Sequence, residues 1–85
     1  MNNSILDKIQ DIPIGYSVGM YKNRKYSIIR TDFNDGRSSK IYARELKGND
    51  FISLNYYQTT KRDLIKPCEM PLEKVLLFLK NIQIV

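Results

Sequence analysis

Eighty-five residues, 42% of them hydrophobic and 27% charged, with a net charge of +5, suffice for one domain over residues 1–85. At that size a deep, enclosed active-site cavity is hard to build, and the balance is that of a folded protein and unlike a disordered one. The single cysteine, Cys68, excludes an intramolecular disulfide, so packing alone must hold the fold, which suits a reducing compartment.

The chain opens on Met1-Asn2-Asn3-Ser4, with neither the basic start nor the apolar run of a signal peptide. Ser4 to Ile12 reads as a short amphipathic helix: Asn3 or Ser4 can cap it, Ile5, Leu6, Ile9 and Ile12 recur near helical spacing, and Pro13 stops it. Gly15 to Tyr21 alternates Tyr16, Val18 and Met20 against Ser17, Gly19 and Tyr21, the period of a strand. Lys22-Asn23-Arg24 is a turn in which Asn23 tolerates a positive φ. Lys25 to Phe33, rich in β-branched and aromatic residues, completes a hairpin. Asn34-Asp35-Gly36-Arg37 is the strongest turn signal, an Asp-Gly pair between two strand-like runs. Lys40 to Leu46 is the third strand, Lys47-Gly48-Asn49-Asp50 a turn, and Phe51 to Gln58 the fourth strand. After a polar loop over Thr59 to Asp63, Leu64-Ile65-Lys66 fits a short fifth strand at an edge, with Pro67 blocking further pairing. Pro71 fits the first turn of a second helix, whose apolar stripe is Leu72, Val75, Leu76, Leu79 and Ile82, with Phe78 beside it. The longest apolar run, Val75 to Leu79, is far shorter than a membrane span. The cytoplasm is the expected location, with no membrane partner.

Short turns between successive strands imply an antiparallel meander. The expected fold is therefore α+β: a meander sheet of four to five strands, a short N-terminal helix, and a C-terminal helix packed on one face. Ile52, Leu54 and Tyr56, with Ile41 and Ala43, form the more apolar set and belong under the helix. The second strand sets Tyr26, Ile28 and Arg30 against Ser27, Ile29 and Thr31. Its register stays open, because a slip of one residue inverts it.

On this reading the uncovered face carries Lys40, Tyr42, Arg44, Ser53, Asn55 and Tyr57. Exposed aromatics interleaved with cations can stack bases and hold phosphates, so Lys40, Tyr42, Arg44, Asn55 and Tyr57 are the candidate binding residues. The same residues are also ordinary strand chemistry, since tyrosine favours strands and exposed lysine discourages edge association. A basic turn of Lys22, Arg24 and Lys25, with Arg37 placed near it, can bind phosphate or can be a solvated loop. Cys68 precedes a helix start, where a thiol can become reactive. The chain has no histidine to act as its base and no second cysteine to resolve an oxidised sulfur, so a small packed side chain is the competing role. The absence of histidine also removes the usual zinc and copper ligands, and no phosphate-binding or dinucleotide glycine pattern occurs. Neither a metal nor a cofactor is expected.

The strand-strand-strand-strand-helix order resembles the single-stranded-DNA-binding transcription-coactivator fold in topology. Gly15-Tyr16, Gly19-Met20-Tyr21, Arg24-Lys25-Tyr26, Asp35-Gly36-Arg37, Ile41 to Leu46, Asp50 to Asn55 and Lys66 to Pro71 occur in the order seen in a family of small bacterial proteins, which the chain resembles from about Gly15 to Leu79. That resemblance implies no assigned activity. Some members carry a peptide methionine sulfoxide reductase label, but this chain has neither that enzyme's Gly-Cys-Phe-Trp motif nor paired Cys-x-x-Cys motifs, and only Cys68 could serve. The expected function is non-enzymatic: a binding or adaptor domain acting through its sheet face or an edge on a protein partner or a second copy of itself. The alternatives are a single-stranded nucleic-acid-binding module and, less supported, a thiol enzyme.

Overall fold

Period-two alternation dominates the middle of the chain, and the computed structural model, which describes residues 5–59 and 61–85 and their side chains from residue 7 on, shows the sheet that it builds. In chain order the elements are α1 (Ile5–Gln10), β1 (Gly15–Tyr21), β2 (Arg24–Phe33), a 3-10 turn over Asn34–Gly36, β3 (Ser38–Glu45), β4 (Phe51–Gln58), β5 (Asp63–Pro67), α2 (Leu72–Asn81) and β6 (Gln83–Ile84). The fold is α+β, an open antiparallel sheet with strands in the order β5-β4-β3-β2-β1-β6. The expected caps Asn3 and Ser4, the side chains of Ile5 and Leu6, and Thr60 lie outside the described residues.

The sheet has six strands where four to five are expected from the sequence. The extra one, β6, is only two residues long and leaves no alternation to read. It forms because α2 carries the chain from the β5 edge to the opposite edge, where Gln83 and Ile84 pair with Met20 and Gly19 and the Val85 amide donates to the Val18 carbonyl at 2.9 Å. Gly19 makes this approach possible: a Cβ there would stand 2.9 Å from Ile82 Cδ1 and 3.0 Å from the Gln83 carbonyl oxygen. Gly19→Val is therefore expected to detach β6. Hydrogen exchange at the Val85 amide should become fast while the β2 and β3 amides stay protected. An equally protected Val85 in the variant would disprove this account.

Turn chemistry fixes the meander. Lys22 and Asn23 take φ of 52° and 64°, the paired positive values of a two-residue hairpin turn whose twist matches the strands. The Asp-Gly turn is wider than the sequence suggests, with positive φ at Asn34, Asp35 and Gly36 in succession, closed by the Arg37 amide on the Asn34 carbonyl at 3.1 Å. Pro67 is still paired, opposite Leu54, because β5 is an edge strand and needs no donor on its outer side.

One face of the sheet is covered. Tyr26, Ile28, Ile41, Ala43, Ile52, Leu54 and Tyr56 meet Ile9 and Ile12 from the α1 end and Val75, Phe78 and Leu79 from α2. Phe78 lies at the centre of this contact, edge-on to Tyr21 and Tyr26 with ring centroids 5.1 and 5.5 Å away. Leu72, placed on the buried stripe from its spacing, is exposed, because the first turn of α2 stands at the rim of the packed face.

The register of β2 resolves with Tyr26, Ile28 and Arg30 inward. An arginine can face the core here because it finishes α1. Its Nη1 donates to the carbonyl of Ile12 at 2.6 Å, just past the end of the helix, and at 3.1 Å to that of Ile9, which also accepts the Ile12 amide. Its Nε and Nη2 grip Asp32 in a two-pronged pair, both at 2.9 Å, and the Ser39 hydroxyl donates to the same carboxylate at 2.7 Å. A second polar tie holds α2: Asp50 accepts from the Tyr26 hydroxyl at 2.8 Å and from Lys74 Nζ at 2.6 Å.

Candidate functional site

The outer face of the sheet is the surface that neither helix covers. Cross-strand partners divide it into rows. Phe33, Ser38, Tyr57 and Leu64 make the first, and Thr31, Lys40, Asn55 and Lys66 the second. Tyr16, Ile29, Tyr42 and Ser53 make the third, and Val18, Ser27, Arg44 and Phe51 the fourth. Met20 and Lys25 begin a fifth, which Leu46 joins through its amide on the Lys25 carbonyl at 2.9 Å. Successive rows are two residues apart along each strand, about 6.7 Å. The first and third rows are thus aromatic and aliphatic without a cation, and the second, fourth and fifth each carry at least one.

The five candidate residues all fall on this face. Lys40 and Asn55 are direct partners, and Tyr42 and Arg44 follow on the same strand. Tyr42 and Tyr57 stay apart, two rows or about 13 Å, so they cannot grip one small ligand between them. Asn55 is half-buried and its amide donates to Cys68 Sγ at 3.6 Å, so it is less available than its neighbours. Tyr42 instead has Phe51 beside it, with ring centroids 6.1 Å apart and planes inclined by 31°. Lys74 reaches the Phe51 ring from the other side of the sheet, 5.8 Å from its centroid.

The alternation of β3 and β4 alone does not assign Tyr16, Ile29, Phe33 or Lys66 to this face, and Lys25, expected in the basic turn, also stands on it, opposite Met20. The alternation of β1 already grouped Tyr16 with Val18 and Met20. What was missing was the register of β2, which decides that Lys25, Ile29 and Phe33 share the face of Tyr42. Tyr16 is 66% exposed, Ile29 49%, Phe33 48%, Tyr42 40% and Tyr57 37%. Together they leave more apolar surface in water than scattered single side chains do.

Electrostatics separates the two faces. Lys25, Lys40, Arg44 and Lys66 are exposed on the outer face. The strand carboxylates Asp32, Glu45 and Asp63 all stand at inner-face register positions, opposite Ser39, Tyr26 and Gln58. Among the described strand residues, then, the outer face has cations and no carboxylate.

The carboxylates on the covered side are engaged in packing. The Arg30 guanidinium, with the Ser39 hydroxyl, holds the Asp32 carboxyl below the usual range against the opposing effect of burial. Burial raises the Asp50 carboxyl, but the hydrogen bonds from Lys74 and Tyr26 outweigh it and hold that group low as well. Burial first, then the neighbouring Asp63 carboxylate, push the Tyr56 phenol up to about 12. Glu45 is buried and takes a 2.8 Å ion pair from Arg24, so this cation of the basic turn is already committed. Arg37, expected near that turn, lies at the far end of β2, because successive turns of a meander fall at opposite ends of the sheet.

At the Lys25 end of the sheet lies a shallow groove of about 790 Å³, lined by Met20, Lys25, Leu46 and Lys47 and by the ion-paired Arg24 and Glu45. Cys68 lies just past β5, half-buried, with its amide on the Ser53 carbonyl at 3.0 Å. Among the described residues no group of three or more Cys, Asp or Glu side chains is placed to hold a metal ion, and no helix is long and apolar enough to cross a membrane. No family model matches the chain, nor does any curated protein or solved structure.

Proposed function

We propose that this protein is a non-enzymatic binding module whose working surface is the outer face of the sheet, and that the partner it takes there is anionic. The observation that carries this reading is the composition of that face: exposed Tyr16, Ile29 and Tyr42 in one row, Lys25, Lys40, Arg44 and Lys66 around them, and no carboxylate at its described strand positions. A surface of one sign attracts the opposite sign and raises encounter rates. The sheet edges are poorer candidates. The β5 edge carries Lys66 and ends on Pro67, and the β6 edge is two residues long, both of which discourage strand addition. Thiol chemistry has less support, since the Cys68 sulfur is half-buried against Asn55 in a chain without histidine.

The test compares two double variants with the same loss of charge. Lys40→Ser with Arg44→Ser removes two cations from the outer face; Lys61→Ser with Lys80→Ser removes two exposed cations elsewhere. On immobilised heparin, a generic polyanion, the first pair should elute at clearly lower salt than the second. Equal elution of the two would mean that net charge alone governs binding, and the face would lose its role.

A further inference from the structure

We infer that the anionic partner is a single-stranded nucleic acid, its bases stacked on the aromatic rows and its phosphates held by the cationic rows; this rests on the outer face being the working surface. Three features favour it over other anions. First, the face offers rings as well as charge. Tyr42 and Phe51 stand side by side, Tyr16 lies two strands away in the Tyr42 row, and Tyr57 lies two rows further on. A partner that presents repeated flat π-faces beside repeated negative charges uses both, whereas an acidic peptide uses only the cations. Second, the rows repeat every ~6.7 Å along the strands, comparable to the reach of one extended nucleotide, and at one end they adjoin the groove of Met20, Leu46 and Lys47, whose lining carboxylate, Glu45, is already paired with Arg24. Third, the face is a broad sheet with no helix or ribbon rising from it among the described residues, so it has nothing to place in a duplex groove.

A second copy of this chain is the poorer occupant. Face-to-face association about a twofold axis sets the same patch against itself. Four cations would then meet four cations with no strand carboxylate of that face to intervene, and such like-charge contact disfavours association.

The experiment is fluorescence anisotropy with labelled oligo(dT) and oligo(U) of about 12 nucleotides, within the range of known single-strand site sizes. A duplex of the same length and vesicles of phosphatidylcholine with phosphatidylserine serve as competing anions, and the two oligonucleotides separate a DNA from an RNA preference. Binding to a single strand at low salt, stronger than to the duplex or the vesicles, is the expected result. Tyr42→Leu should weaken it roughly 5- to 150-fold, the range for loss of one base–aromatic stack, with the salt dependence unchanged. Lys40→Ser with Arg44→Ser should instead make the slope of log K against log salt shallower by about 1.4, two phosphates' worth on a single strand. Tyr16→Ala provides a second ring deletion at a more exposed position, and thermal unfolding of each variant checks that the fold is intact.

No single-strand binding at low salt, equal or tighter binding to duplex or vesicles, or indifference to both ring deletions would overturn the inference. The heparin comparison separates the two proposals. A face-dependent heparin shift without oligonucleotide binding leaves the outer face as a polyanion surface and removes nucleic acid as its partner. Loss of both results removes the surface as well.

Discussion

Arg30→Ala is expected to cost about 3–5 kcal/mol of stability, the range for breaking a buried ion pair by deleting one partner. An 85-residue domain has in total about 4–13 kcal/mol at the usual ~0.05–0.15 kcal/mol per residue. One substitution can therefore bring this protein close to unfolding, and a drop in Tm of ~12 °C or more should be seen by circular dichroism. The size follows from what Arg30 touches. It is 9% exposed, it holds both oxygens of Asp32, and it satisfies the carbonyls of Ile9 and Ile12 at the end of α1. Without it the Asp32 carboxylate loses both guanidinium bonds and keeps the Ser39 hydroxyl, and the Ile12 carbonyl loses its arginine donor, in a largely dry site. Arg30→Met with Asp32→Leu, which removes both charges, should recover much of the loss. The pH dependence carries the same signature. The folded pKa of Asp32 lies below its unfolded value, so its contribution is fully present above the unfolded pKa of ~3.9 and is lost as pH falls through the folded value. Arg30→Ala should be less stable at neutral pH and lose less on further acidification. A cost below ~1 kcal/mol, or an acid limb as steep as that of the unsubstituted protein, would show that this network does not hold α1.

The same arginine explains why part of the structure could be read from the sequence and part could not. Strands β1, β3 and β4 alternate clearly, and Ile41, Ala43, Ile52, Leu54 and Tyr56 sort inward on hydrophobicity alone. In β2 one inward position is Arg30 and one outward position is Ile29, so a rule that sends apolar residues in and charged ones out gives no consistent register. The inward arginine is stable only because α1 ends above it, a tertiary contact 18 to 21 residues away in sequence. The candidate surface inherits that gap. Lys40, Tyr42, Arg44 and Tyr57 were legible because β3 and β4 were. Tyr16, Ile29 and Phe33 became part of the same surface only once β2 was fixed between β1 and β3. The segregation of carboxylates to the covered face was likewise hidden, since Asp32, Glu45 and Asp63 look like solvated charges until their strands are placed.

Two apolar substitutions of opposite expected consequence test whether the two faces do different work. Phe78→Ala should cost about 3–5 kcal/mol, the usual range for emptying a buried aromatic site. The ring is fully buried and meets both Tyr21 and Tyr26 edge-on, and these two rings, in edge contact with each other as well, are too rigid to fill the space it leaves. Ile29→Thr, on the outer face, keeps the β-branched shape that suits a strand and removes one apolar group already half in water, so it should change stability by about 0.5 kcal/mol or less. Urea unfolding of both variants, each at two protein concentrations tenfold apart, measures the contrast. If Ile29→Thr proved as costly as Phe78→Ala, or if stability rose with protein concentration, the outer face would already be buried against a second copy of the chain. Its rings and cations would then be interface residues of an oligomer. If stability is instead independent of concentration and indifferent to Ile29, the apolar area of the third row contributes nothing to folding. That outcome is the one required by the proposed binding role of the row of exposed Tyr16, Ile29 and Tyr42.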